Sequence, residues 1–128
     1  ISENGEFVIN LTTASMAHAT DWCGVRSGKD YDKAKECHLT YGPSKKISAP
    51  IINESPLSIE CKVKQIIPLG THDMFLAEVV NVQADDSLLN PETGEWNLAD
   101  ADPLVYAHGK YFHTGELIGK FGWSVKKK

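Results

Sequence analysis

The run Cys23-Gly24-Val25-Arg26-Ser27-Gly28-Lys29-Asp30-Tyr31-Asp32-Lys33 gathers two glycines, a serine and three cations at one loop-to-helix junction. The chemistry this suits is anion binding. Backbone N–H groups at the start of a helix, with Arg26, Lys29 and Lys33 beside them, favour a group such as phosphate. Gly24 and Gly28 are expected to take positive φ and let the backbone approach a ligand closely. Asp30 reads as the N-cap of a short helix from about Tyr31 to His38. The competing reading of the same residues is a surface turn ahead of a helix.

Other chemistries find less support. Ser27 has no apparent His-Asp partners, and Cys23 has no activating base in its sequence surroundings. No Gly-x-Gly-x-x-Gly follows a strand, so the chain lacks a Rossmann site for NAD(P)H. The three cysteines, Cys23, Cys37 and Cys61, are odd in number and form no Cys-x-x-Cys, which argues for reduced thiols and a cytoplasmic setting. Metal binding by Cys23 with His18, or by Cys37 with His38, lacks paired ligand spacing. Cys61 reads as a buried structural thiol. His18, His38 and His113 read as surface or locally hydrogen-bonded residues, and Trp22 and Trp123 as packing anchors.

The elements that must position these residues follow from periodicity. Ile1 to Gly5 reads as the last turn of a helix closed by a C-cap glycine, with a strand from Phe7 to Leu11 directly after it. A domain rarely opens on half a helix, so the chain reads as a fragment. Thr12 or Thr13 can cap a helix through Trp22, with Met16, Ala19 and Cys23 on one buried face. From Leu39 to Pro56 the Gly-, Pro- and Ser-rich segment reads as irregular. Leu57, Ile59, Cys61 and Val63 then alternate with Ser58, Glu60, Lys62 and Lys64, the pattern of a half-buried strand with its apolar set inside.

A turn at Pro68 to Thr71 leads to a strand from His72 to Ala84 that is apolar on both faces. This suits a barrel wall that meets a partner. Asp85 to Asp102 reads as an excursion or hairpin, Leu104 to Ala107 resumes the strand pattern, and Gly115 to Gly122 reads as loop. Late strands with two early helices predict a mainly β, α+β barrel.

Bulk properties set the remaining bounds. The chain's 128 residues amount to one domain, and its apolar (41%) and charged (23%) fractions are those of an ordinary globular protein. A formal net charge of −4 argues against a nucleic-acid binder. The basic run Lys126-Lys127-Lys128 reads as a solvated terminus. No apolar run reaches membrane-spanning length, so no membrane partner is expected.

Several motifs together carry a family likeness. They are Glu6-Phe7-Val8-Ile9-Asn10-Leu11, Ala19-Thr20-Asp21-Trp22-Cys23-Gly24, Ser55-Pro56-Leu57-Ser58-Ile59-Glu60-Cys61, Gly70-Thr71-His72-Asp73-Met74-Phe75 and His108-Gly109-Lys110-Tyr111-Phe112. In this order and spacing the chain resembles the flavin reductase-like proteins of the flavoredoxin type, over nearly all of its length. The resemblance implies a six-stranded Greek-key split barrel that binds FMN and pairs as a homodimer, with flavin at the subunit interface. Family members carry further strands before Ile1, so residues 1–128 would be the C-terminal two-thirds of the domain.

The resemblance also implies roles. Lys33 and His72 occupy positions that contact FMN, and Tyr111 or Phe112 is the ring neighbour; Ser27 joins them not by resemblance but through the phosphate-suited chemistry of the junction itself. Alternation puts Tyr111 and Phe112 on opposite faces, so one of the two is expected in the core. The activity implied is that of a flavin reductase-like oxidoreductase, with NAD(P)H or a redox protein as electron donor. The alternatives are a non-catalytic FMN electron carrier and a fragment unable to bind flavin.

Overall fold

The structure is a computed structural model and describes residues 1–125; the run Lys126 to Lys128 lies outside the described residues. In chain order its elements are β1 (Glu6–Asn10), α1 (Ala17–Val25), α2 (Lys33–Glu36), β2 (Tyr41–Gly42), β3 (Ile51–Ile52), β4 (Leu57–Pro68), β5 (Asp73–Ala84), β6 (Val105–Ala107) and β7 (Lys110–Phe112). The fold is mainly β with few short helices, as the order of elements predicts. The described strands form one antiparallel sheet, β1-β4-β5, and two small ladders, β2-β3 and β6-β7.

Local chemistry explains the boundaries. Residues 1–5 form a single turn in which the Gly5 N–H donates to the Ile1 carbonyl at 2.8 Å, closed by Gly5 at φ +67°. That positive φ is inexpensive only for glycine. A 3-10 turn at Ala14–Met16 precedes α1, and the Thr13 hydroxyl lies against Ser15 at 2.8 Å instead of capping the helix. Met16, Ala19 and Cys23 are half-buried, so the stripe is only partly covered.

The second helix is one turn long, shorter than expected. Its N-cap is Asp32, whose carboxylate accepts from the Lys35 N–H at 3.2 Å, and not Asp30. Within the stretch expected to be irregular, β2 and β3 form a two-residue ladder around residues 43–50. The excursion after β5 folds back through a Leu89–Trp96 bridge. It returns to the body where the Leu104 N–H donates to the Thr12 carbonyl at 3.0 Å.

The largest departure from the sequence pattern lies in β4. Alternation predicts Leu57 and Ile59 inside with Ser58 and Glu60 outside, but Glu60 is 0% and Ser58 2% exposed while Leu57 and Ile59 are half-buried. Cys61 is buried as expected, at 2%. Hydrogen bonds account for the inversion. The Glu60 carboxylate accepts from the backbone N–H groups of Lys45 (2.9 Å) and Lys46 (2.7 Å), from the Asn81 amide (2.9 Å) and from the Gln83 amide (2.8 Å).

Burial alone would push the Glu60 carboxyl up; these four donors outweigh it and hold the pKa at about 2. Asn10 Oδ1 adds to the layer by accepting from the Ile52 N–H at 3.0 Å and the Ser58 hydroxyl at 2.9 Å. Glu6 accepts from the Ser48 N–H and hydroxyl at 2.8 and 2.7 Å. The 43–52 segment is therefore sewn onto the sheet by polar groups of β1, β4 and β5. A period-2 reading assigns polar side chains to solvent and has no means of seeing a loop that folds back over them.

Candidate functional site

The junction folds back on the C-terminal end of α1. Cys23 and Gly24 lie inside α1, and Gly24 and Gly28 are absent from the residues with positive φ. This corrects the expected glycine hinge. An added Cβ would meet nothing within 4 Å at Gly24 and only Lys33 Cε, at 3.8 Å, at Gly28, so the glycines leave the surface open without bending the chain. The turn is built by Ser27. Its carbonyl accepts from the Asp30 and Tyr31 N–H groups, and its hydroxyl from the Lys29 N–H, all at 3.2 Å.

Lys33 is half-buried, and its ammonium donates to the Cys23 carbonyl at 2.6 Å. A cation here meets one of the carbonyls that a helix end leaves without a helical partner. Of the three ammonium donors this uses one. Tyr31 packs edge-on against Trp22, with ring centroids 5.4 Å apart, and Arg26 lies over the Tyr31 ring at 5.7 Å. Trp22 therefore anchors the junction as expected, whereas Trp123 is exposed. A helix of four residues has almost no macrodipole, and Asp32 already occupies its N-terminus. The anion-suited character of the junction thus rests on Arg26, Lys29 and Lys33 and not on the helix end.

Tyr111 reaches the same helix from β7. Its hydroxyl donates to Asp21 Oδ1 at 3.0 Å, and that bond to a carboxylate raises the phenol pKa. Tyr106, paired with Tyr111 across the β6-β7 ladder, stacks obliquely on it at 5.2 Å. Phe112 lies one position on and pairs with Val105. Both Tyr111 and Phe112 are exposed, so the expectation that one is core is corrected: α1 meets the hairpin through the Tyr111 hydroxyl but buries neither ring. His113, beside them, bonds Asp102 at 2.6 Å, and His18 and His38 are exposed as expected.

His72 sits elsewhere, in the turn between β4 and β5, where its ring lies 2.9 Å from the Thr71 hydroxyl and its carbonyl accepts from the Leu69 N–H. The structure thus fastens Lys33, Ser27 and Tyr111 around the second half of α1, while His72 is carried on a hairpin tip. Beyond Val63 that hairpin is a two-stranded arm, with β1 pairing only as far as Lys62. Met74 and Leu76, 41% and 45% exposed, stand on it. Asp21, which orients Tyr111, escaped the sequence reading because ninety positions separate the partners.

The flavin reductase like domain family matches residues 1–115. The chain belongs to that family. Among solved structures it is similar to flavoredoxin of Desulfovibrio vulgaris (Miyazaki F), at 30% identity and a TM-score of 0.87, covering 98% of this chain and 68% of that one. It is also similar to an FMN-binding domain of a flavin reductases-like enzyme from Shewanella baltica OS155, at 26% identity and a TM-score of 0.74, covering 94% and 65%. These likenesses make the fold that of the flavin reductase-like split barrels.

A curated relative, an uncharacterized protein of Methanothermobacter thermautotrophicus, is 30% identical over 128 residues, 94% of this chain and 60% of its own length. The chain spans roughly half the length of the curated relatives it matches. No described helix is long and apolar enough to cross a membrane, and no described group of three or more His, Cys, Asp or Glu residues is placed to hold a metal ion.

Proposed function

We propose that the protein binds FMN beside the C-terminal end of α1 and passes electrons through it as a flavin reductase-like oxidoreductase. The observation that carries this reading is the convergence on one helix end of a half-buried lysine, its neighbouring cations and an exposed tyrosine pair. The residues present fit the cofactor. Lys33 keeps two ammonium donors for a phosphate or for a charged ring edge, and Arg26 and Lys29 add charge in the same turn. Tyr111 and Phe112, exposed on one short hairpin, offer aromatic faces for ring contact. When bound, flavin supplies the redox chemistry; the protein supplies binding, orientation and electrostatics.

The remaining assignment, His72, fits a homodimer. On this reading the β4–β5 arm, exposed on both faces, crosses to a second copy and brings His72 to that copy's flavin. The edge of β5, unpaired among the described residues, and the apolar groups on the arm support the pairing, since a long exposed apolar edge strand is a liability unless it is covered. With NAD(P)H as donor, the nicotinamide would stack against bound flavin in an open groove, as the chain carries no dinucleotide motif. The likeness to flavoredoxin favours a second reading, a tight FMN carrier fed by a redox protein.

Titrating the protein into FMN and following flavin fluorescence tests binding, with quenching expected to saturate. Lack of any quenching sinks both readings. Adding NADH or NADPH then separates them: bleaching of bound flavin supports the reductase, and an unreduced complex supports the carrier. Replacing Lys33 with Ala should weaken FMN binding by about 1.5–3 kcal/mol if Lys33 makes a charge-assisted bond to flavin. An unchanged dissociation constant at low salt makes Lys33 solely a cap for α1.

A further inference from the structure

Cys23 and Cys37 are fourteen positions apart in sequence, yet their sulfurs lie 3.7 Å from each other. Cys23 belongs to the last turn of α1 and Cys37 is the C-cap residue of α2, so the pair ties the two ends of the junction that holds Lys33. Both thiols are free and half-buried, within reach of a small reagent, whereas the third, Cys61, is buried in β4. Bond formation needs the sulfurs to close from 3.7 Å to about 2.05 Å. Side-chain rotation at two helix ends, one of them a single-turn helix, can supply a movement of that size. Cys37 is not one of the residues that carry the family resemblance.

We propose that Cys23 and Cys37 form a reversible dithiol–disulfide couple that closes the 23–37 segment into a covalent loop around Lys33. The oxidant is a low-molecular-weight disulfide, R–S–S–R. One protein thiolate attacks it and releases RS⁻, leaving a mixed disulfide on the protein. The second protein thiolate attacks the protein sulfur of that bond and releases the second RS⁻. Two protein S–H bonds and one S–S bond are exchanged for one protein S–S bond and two R–S–H, and two electrons pass from the cysteines to the oxidant.

Burial, together with the neighbouring Cys23 and Glu36, pushes the Cys37 thiol up, with Lys33 opposing. Thiolate is therefore scarce at neutral pH, and closure runs faster in mild alkali. The couple stands on the geometry of the two sulfurs alone and does not depend on flavin binding.

The test is incubation of the folded protein with oxidised glutathione, followed by thiol titration in denaturant and a non-reducing tryptic map. Free thiols should fall from the three of the chain to one. Residues 1–26, which carry Cys23, should emerge joined to residues 36–45, which carry Cys37. Excess reduced glutathione should restore all three thiols. Cys61→Ser should leave the cross-link intact, and Cys37→Ser should abolish it.

Three persisting thiols overturn the proposal, as does a cross-link to residues 47–62, a covalent dimer or glutathione left on either cysteine. A cross-link that resists excess reduced glutathione overturns its reversibility. Running the same map on FMN-loaded and FMN-free protein keeps this outcome separate from the binding result.

Discussion

Strands β4 and β5 form one ladder, shifted in register at Glu60/Cys61 and at Val63/Gln65, whose two halves behave differently. From Leu57 to Val63 the strand lies beneath the 43–52 segment and beside β1, and a charged and a hydroxyl side chain are its most buried groups. From Gln65 to Pro68, and from Asp73 to Leu76 opposite, the ladder is bounded by solvent, and Ile66, Met74 and Leu76 stand exposed. Between Ser58 and Glu60 at the root and Ile66, Met74 and Leu76 on the arm, side-chain polarity thus runs opposite to burial. Burial of a strand residue is decided by what lies over it, and the overlying layer comes from distant parts of the chain. At the root that layer is held by carboxylate and amide groups; on the arm none is present among the described residues, which is why a second copy is the proposed cover.

Breaking the root should have the largest effect. Glu60→Gln keeps the volume but turns two carboxylate acceptors into one carbonyl and one amide, leaving buried donors from Lys45 or Lys46 unpaired. The expected loss is about 2–4 kcal/mol of unfolding free energy, read from the urea midpoint. A loss of unfolding free energy below a tenth of that size would mean that water replaces the lost acceptor and that the layer is not sealed.

Acid should act on the same group. The folded pKa of Glu60, about 2, lies below its ordinary 4.5, so the carboxylate's contribution is present above about pH 4.5. It is lost as pH falls from 4.5 towards 2, since the unfolded chain then binds the proton first. The wild-type protein should lose stability steeply across that window and the Glu60→Gln variant much less. Parallel pH profiles for the two would assign acid unfolding to other carboxylates.

The arm should respond in assembly and not in folding. Met74→Lys with Leu76→Lys should cost the single chain little, about 0.5 kcal/mol per site or less, because both side chains are already exposed. The proposed dimer should weaken at least about tenfold, roughly 1.4 kcal/mol, visible as a monomer mass by light scattering at micromolar concentration. An unchanged dimer would move the interface off the arm.

Smallest of all should be Glu78→Gln, which removes the pair with Lys64 at 2.5 Å, both side chains more than half exposed. Solvent screening limits the loss to about 0–0.5 kcal/mol. Glu78 pairs with Lys62 at the root, so a loss comparable with that of Glu60→Gln would erase the distinction between its covered and its solvent-facing carboxylates.

Local chemistry in the sequence was enough to determine much of this protein. The mainly β class, the glycine-closed turn at the start, a helix running through Trp22, the buried thiol at Cys61 and the exposed histidines all follow from residue types and short spacings. Such features need only neighbours within a few positions, where propensity and periodicity apply. The motifs that carry the family likeness are likewise runs of five to seven residues.

What the tertiary structure alone decided involves partners far apart in sequence. Glu60 is buried because donors at Lys45, Lys46, Asn81 and Gln83 converge on it. Tyr111 is oriented by Asp21, Lys33 by the Cys23 carbonyl, and Cys37 meets Cys23 only once α2 folds against α1. Asp32 replaces Asp30 as a cap because the helix starts only where the Ser27 turn ends. Each of these depends on chain reversals whose geometry no local pattern encodes, and a polar residue inside or an apolar one outside takes its meaning from them.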